Sequence, residues 1–570
     1  MIAFIKNHWI LISFVAALFT FHWFSKDIRS NYERPIVGDA QAYYAYLPAI
    51  FIYQDFDYNF VQEHASQYYA PGQLKDFVKD VDGEKVNKTF PGVAVLYTPF
   101  FLLAHLSAIT FGLEADGYST IYQFWFDIGH WFYFLFGLIF LKKFLEKLNF
   151  EPKIALFTTI LIGISTNLFF YTVFDQSVTH IHNFFMINGM LLSIAIWKEQ
   201  KQMKWLIIAL VLLALIGITR PTNILVFGLI LIFFNQKSFY LDVFRSVFSK
   251  KWWKITLFVL PILLIPFVLW KIQTGHWIVY SYGEEGFDFS NPFYLDFIFS
   301  YTKGWFTYTP FALIVILIGL GLIFKTDPKK AGLMVGFYLV SIYIFSSWWC
   351  WYYGAGMSQR VMIDHYVLLA FLLATILTKI ADVKWMKYAF LSLSALLIFL
   401  NVAQAWQIKQ GIIQFGSATK EQYWDNFLVF EKRARVYPKE HWIKSEDELS
   451  FNEELKVNAE MPFSESLKGN IGEIKVGHKL IFSFEMLTAD EIMETRGIIT
   501  FKNLNNEEIP VPFYFSEFVQ QDKWVYMELL FEPLEEYKSE VIIYYWNAYT
   551  TESATFKNIS IKKYFSDEYY

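Results

Sequence analysis

About eleven apolar stretches, each close to the ~20 residues that carry a helix across hydrocarbon, fill the first 408 of the chain's 570 residues. They run 8–25, 119–141, 153–173, 180–197, 205–219, 222–235, 254–271, 305–324, 331–347, 361–379 and 386–406. Hydrocarbon offers no partner to backbone N–H and C=O groups, so each segment must satisfy its own as a helix. The pattern predicts a polytopic α-helical membrane protein of about eleven transmembrane helices. Composition agrees: 55% of residues are hydrophobic and 18% charged, less charge than a soluble chain carries. A net charge of −5 argues against nucleic acid as a partner. Cys350 is the sole cysteine, which excludes an internal disulfide framework and a multi-cysteine metal site. Lys6 and the apolar run 8–24 lack a small-residue cleavage site, so this segment reads as a retained first helix.

Lysines orient the spans. Lys142, Lys143, Lys147 and Lys153 form one loop, and Lys198, Lys201 and Lys204 the next. Lys237, Arg245, Lys250, Lys251 and Lys254 form a third; Lys325, Lys329, Lys330, then Lys379, Lys384 and Lys387 complete the set. The positive-inside rule makes this face cytoplasmic. The apolar run 91–111 is also long enough to span, but a span there would turn every later basic loop outward. It therefore reads as a helix in the outer interface; the alternative is twelve spans and a cytoplasmic C-terminus. The membrane domain is expected over 1–408, with a large outer loop at 26–118. Beyond it, short runs with period-two patterning at 479–485, 497–501, 511–515, 524–531, 541–546 and 554–561 predict a soluble, jelly-roll-like β-sandwich over 409–570, outside the cytoplasm.

The outer face gathers the residues that bear chemistry. Gly38-Asp39-Ala40-Gln41-Ala42-Tyr43-Tyr44 follows the first span, so Asp39 is a carboxylate at the membrane surface. If the substrate is a polyprenyl-phosphate sugar, its phosphate lies at that surface. Transfer then needs a base for the acceptor hydroxyl and cations for the departing phosphate. Asp39 is the candidate base. Lys88, Arg220, Arg360 and Lys303 are the candidate cations, arginine because its planar fork holds two phosphate oxygens. The plainer reading of Asp39 is an N-cap for a helix over 40–53, a role compatible with the first. Arg220 is otherwise a snorkelling helix end, and Arg360 otherwise the partner of Asp364 one turn on. Tyr43, Tyr44, Asp55, Asp57, His180, Glu284 and Trp351 are candidate acceptor or sugar contacts. Plainer readings stand beside them: Asp55 and Asp57 as turn residues, His180 and His182 as a hydrogen-bonded pair rather than a metal site, and the tryptophans as an aromatic belt.

These residues, in this order and on this face, resemble the GT-C class of integral-membrane glycosyltransferases, and within it the dolichyl-phosphate-mannose protein mannosyltransferase and lipid A aminoarabinose transferase group. Gly38-Asp39 resembles that group's acidic motif after the first span. Lys88-Thr89-Phe90-Pro91-Gly92 with Leu96-Tyr97-Thr98-Pro99-Phe100 resembles its basic residue before a proline-opened helix. The likeness covers roughly 1–406, is strongest in the first 250 residues, and extends to bacterial members through the aromatic loop 348–360. It implies inverting transfer from a polyprenyl-phosphate donor to a protein, lipid or glycan acceptor, with Asp39 as base. It also implies a bacterial inner-membrane protein whose active site and C-terminal domain face the periplasm. The chain departs from the group at Gly38, where a second acid would stand. Paired-carboxylate metal binding is therefore not expected there, and no metal ligands are assigned; a divalent cation remains open as a cofactor. Two other classes compete: a transporter or flippase for a lipid-linked glycan, and a scaffold presenting an outer partner-binding β domain. Paired repeats and midplane charges, expected of a transporter, are not seen in the sequence.

Overall fold

The computed structural model describes residues 2–25, 34–69, 74, 77–81, 83–283, 285–413, 418–430, 442–476, 478–489, 495–504, 506–514, 522–531, 533, 536–547 and 552–566. Glu284, and Phe515 at the end of an expected strand, lie outside them. The chain divides into a helical unit, Met1–Lys409 with Ile413–Leu428, and a β unit, Gln410–Ile412 with Val429–Tyr570. The expected boundary at 409 shifts because Tyr423 packs on Tyr301 and Tyr308 and accepts a 2.5 Å hydrogen bond from Gln404, which binds 418–428 to the helices.

The helical unit opens with α1 (Ile2–Ser25), α2 (Asp39–Pro48), the hairpin β1 (Val78–Val81) and β2 (Glu84–Asn87), then α3 (Gly92–Phe111) and α4 (Thr120–Lys147). There follow α5 (Pro152–Ile164), α6 (Leu168–Val173), α7 (His180–Gln200), α8 (Met203–Gly217), α9 (Val226–Phe233), α10 (Lys237–Val247) and α11 (Trp252–Thr274). The unit closes with α12 (Tyr294–Phe299), α13 (Trp305–Tyr308), α14 (Pro310–Thr326), α15 (Pro328–Ser346), α16 (Tyr366–Ile380), α17 (Lys384–Lys409) and α18 (Lys420–Asp425). Among the described residues six helices are long and apolar enough to cross a membrane, in Lys6–Ser25, Gly92–Phe111, Thr120–Lys147, Trp252–Thr274, Arg360–Ile380 and Lys384–Lys409. This is a multi-pass membrane protein. Several expected spans are broken rather than continuous. The segment 153–173 splits at 165–167, where Asn401 Nδ2 binds the Ile164 and Thr166 carbonyls at 2.8 and 3.0 Å, supplying partners that hydrocarbon cannot. Pro221 and Pro310 likewise open new turns.

The position of α3 bears on the site. It runs antiparallel to the first half of α4: Tyr97 meets Gly129, Ser107 bonds Trp125, and His105 lies 2.5 Å from the Tyr122 hydroxyl. The second half of α4 instead packs on α7, from Gly137 against Phe184 to Lys147 paired with Glu199. At its start α3 meets the end of α8, where Gly92 N–H donates to the Ile218 carbonyl at 3.0 Å. A Cβ at Gly92 would lie 2.2 Å from Thr219 Oγ1, so this approach requires glycine. Thus α3 begins where α8 ends and continues beyond it, outside the layer that α7 and α8 share.

In the β unit, β3 (Trp442–Phe451), β4 (Leu455–Val457), β5 (Leu467–Asn470), β6 (His478–Leu487), β7 (Arg496–Asn503), β8 (Glu508–Tyr514), β9 (Val525–Phe531), β10 (Tyr537–Trp546) and β11 (Ala554–Ser566) form two antiparallel sheets. Their orders are β5-β10-β7-β8 and β3-β11-β6-β9, with β4 beside β11. Phe501 stacks on Phe531 at 4.7 Å and Tyr545 on Phe556 at 3.6 Å, joining the sheets through one core.

Candidate functional site

A cavity of about 520 Å³ opens in the helical unit where several helix ends and loops meet. Asp39, Lys88, Arg220 and Arg360 all line it, although they lie up to 321 residues apart in sequence. Each is delivered by a local break in secondary structure. Gly38, at φ +54°, precedes α2 and turns the chain so that Asp39 becomes the first helical residue. Asp39 is therefore not an N-cap: it sits one residue inside the helix, and its Oδ2 accepts from Arg360 Nη2 at 2.8 Å. The helix is α-helical to Pro48 and continues as a π-turn over Ala49–Tyr53, not as one α-helix over 40–53.

Lys88 follows β2. Asn87, fully buried, donates to the Ala42 carbonyl at 2.8 Å and accepts from the Thr89 N–H at 2.9 Å, tying the hairpin to α2. The Lys88 ammonium pairs with Glu285 and lies over the Tyr282 ring. Glu285 also accepts from Trp349 Nε1 at 3.2 Å. Arg220 sits in the break between α8 and the turn Pro221–Leu225. Its Nη1 lies 2.9 Å from His180 Nε2. A guanidinium only donates, so His180 accepts there and carries its proton on Nδ1. That proton is donated to Asp364 Oδ1 at 2.8 Å, and Asn183 donates to Oδ2 at 2.9 Å. His180 and Asp364 are 1% and 4% exposed, so this chain of bonds is fixed in place. The alternative pairing of Arg360 with Asp364 is not formed: Arg360 turns to Asp39, and Asp364 serves His180.

The remaining wall is aromatic: Tyr43, Tyr282, Phe287, Trp348, Trp349 and Tyr353. Burial, then the neighbouring Asp39 charge, lifts the Tyr43 phenol above its ordinary range, so it stays a neutral donor. Among the lining residues four cations, Lys79, Lys88, Arg220 and Arg360, face two carboxylates, Asp39 and Glu285.

Other candidates lie elsewhere. Lys303 is 1% exposed and donates to the Gly356 carbonyl, bracing the loop that carries Arg360 rather than lining the cavity. Burial, with the Arg360 charge, pushes its ammonium well below its ordinary value. Tyr44 is buried against Phe101, Tyr118 and Phe126 and donates to the Gly117 carbonyl at 2.5 Å. Asp55 accepts from the N–H groups of Asp57 and Phe60 at 2.9 and 3.2 Å, a turn-forming role, and Asp57 is exposed. Trp351 packs on Phe293, while Trp348 and Trp349 reach the cavity. Glu285 enters the site beside the candidate Glu284, and Asp364 and Asn183 enter it without having been candidate contacts. Among the described residues no group of three or more His, Cys, Asp or Glu is gathered to hold a metal ion.

No protein-family model and no curated protein sequence matches this chain. Among solved structures it is similar to arabinosyltransferase EmbB from Mycobacterium smegmatis, at 9% identity and a TM-score of 0.31, over 83% of this chain and 59% of that one. It is also similar to a "Family 16 Carbohydrate Binding Module-2", at 12% identity and a TM-score of 0.14, over 20% of this chain and 73% of that one. The chain spans about six-tenths of the arabinosyltransferase's length. At these scores neither likeness bears on function, which rests on the cavity itself.

Proposed function

We propose that the protein is a GT-C-type glycosyltransferase that moves a sugar from a polyprenyl-phosphate donor to an acceptor hydroxyl at the outer face of a bacterial inner membrane. The observation that carries this reading is the meeting of Asp39 with Lys88, Arg220 and Arg360 around one cavity with an aromatic wall. Among the described lining residues cations outnumber carboxylates, which suits a departing phosphate monoester that develops negative charge. Arg220 is held by a neutral imidazole rather than a carboxylate, so its charge is the first available to the donor phosphate. Arg360 then passes from Asp39 to a second phosphate oxygen and leaves Asp39 Oδ2 to the acceptor hydroxyl. Asp39 takes the hydroxyl proton, and the acceptor oxygen bonds to the anomeric carbon from the face opposite the phosphate. The carbon–oxygen bond to phosphate breaks, and polyprenyl phosphate leaves with the electron pair. The sugar is inverted. The aromatic wall stacks on the sugar ring and shields the reaction from water.

The test is transfer of label from radiolabelled polyprenyl-phosphate sugars by purified protein in lipid, with Asp39→Asn beside it. The variant keeps the shape of the carboxylate and should lose about 10²–10⁴-fold in kcat while still binding donor. Near-normal turnover by Asp39→Asn would refute the base assignment, and no transfer from any such donor would refute the reaction.

A further inference from the structure

We infer that α10 is an in-plane helix that docks on anionic phospholipid at the face of the membrane opposite the cavity. The cavity residue His180 opens α7, and α10 packs at its other end, about 30 Å away for 21 residues at 1.5 Å each. There Phe239 is buried against Trp197 and Phe234, and Lys201 Nζ bonds Asp242 Oδ2 at 2.6 Å. With 3.6 residues per turn, the helix carries three stripes. Phe239, Val243 and Val247 face the bundle. Ser238 and Asp242 form the polar stripe, with Arg245 in line with Ser238. Tyr240, Leu241, Phe244 and Phe248, the last just past the helix, are exposed, the last two by 61% and 71%.

An apolar stripe beside a polar one is stable in water only if something apolar covers it. Two features identify the cover as lipid. First, the stripe continues into the exposed face of α11, a spanning helix that begins with Trp252 and Trp253 and continues through Leu257 and Phe258. Aromatic residues at the start of a span belong at the headgroup level. Second, the charge around the stripe is one-sided. Lys237, Arg245, Lys250, Lys251 and Lys254 are set against Asp242 alone between 237 and 254. Asp242 is already paired with Lys201, which leaves the basic residues to face anionic headgroups.

Cys350 is the sole cysteine, so Cys350→Ser gives a background for single labels. A fluorophore on Phe248→Cys, in nanodiscs, should be quenched by spin-labelled lipid and protected from aqueous iodide. The same label on Ser238→Cys, exposed on the polar stripe, should behave oppositely. Equal iodide access at the two positions would overturn the inference, as would protection at 248 that follows protein concentration rather than lipid, since that marks a second copy. The charge component is read separately. In mixed phosphatidylglycerol and phosphatidylcholine discs, retention of phosphatidylglycerol by native mass spectrometry should fall about fivefold per charge in Arg245→Gln, Lys250→Gln and Lys251→Gln. Unchanged retention in the triple variant would also overturn it. These residues do not face the bundle, and neither readout depends on activity, so the result stands apart from the transferase reading.

Discussion

Arg220 and Arg360 reach the same cavity from different helix ends and are held in opposite ways. Arg360 is paired directly with a carboxylate, 2.8 Å from Asp39, at 15% and 20% side-chain exposure. Arg220 is held by His180, which is held by Asp364 and steadied by Asn183, almost wholly out of solvent. Lys88 belongs with Arg360, because Glu285 neutralises it at the cavity surface. The difference separates two kinds of cation. One kind has a partner that a phosphate can displace. The other is aimed in advance by a buried relay and gives up no ion pair when it binds. A site with both can hold its charges at rest without collapsing and still present one arginine to an incoming anion.

The largest effect that separates the two kinds should come from cutting the relay. Asp364→Ala leaves the His180 Nδ1–H without its acceptor, so Arg220 loses its aim. Loss of a charge-assisted hydrogen bond of this kind corresponds to about a 10- to 100-fold rise in donor KM, with kcat changed less. Asp364→Asn keeps an oxygen for Nδ1–H and should recover part of the loss. Adding Arg220→Ala to Asp364→Ala should cost little more, because both act through one contact. A kcat loss with unchanged KM, or full additivity, would show that the relay is structural only.

The exchangeable kind predicts an effect of opposite sign. Glu285→Gln removes the charge that occupies Lys88 while keeping an oxygen for Trp349 Nε1. Donor affinity should rise about threefold, within the range measured for ion pairs that solvent still reaches. Steady-state KM for donor checks it, and a weaker KM would mean that Glu285 itself meets the substrate.

The sequence made the membrane unit legible because hydropathy and loop charge are local signals, and the six expected β runs correspond to β6 to β11 because period-two patterning is local too. It did not show β3, whose run Ile443 to Ser450 is dominated by charged and polar residues, nor the short β4 and β5. At the site, Asp39, Lys88, Arg220 and Arg360 were identifiable because each is a lone charge beside a break in an apolar pattern. Their partners were not. Arg360 finds Asp39 across 321 residues and His180 finds Asp364 across 184, and a helical-spacing argument sees only the i,i+4 neighbour. Lys303 carried the same signal as the true lining cations, but its break faces inward to the Gly356 carbonyl. Exposure, not residue type, distinguishes them.

Asp55 and Asp57 give the finest version of the same comparison, two acids of one outer loop with different duties. Asp55 accepts two backbone N–H groups and so fixes the turn that leads into the π-helix at Val61–Ala65. Asp57 is exposed, and neither residue lines the cavity. Asp55→Ala should therefore lower stability by about 1 kcal/mol, the usual cost of losing a cap to backbone donors, with donor KM unchanged. Asp57→Ala should alter neither stability nor transfer by as much as twofold. Thermal unfolding in lipid and initial rates on the same preparations distinguish the two. A donor or acceptor KM that moved with Asp57 would mean that the substrate extends past the cavity along this loop, and the acceptor contacts would have to be redrawn from there.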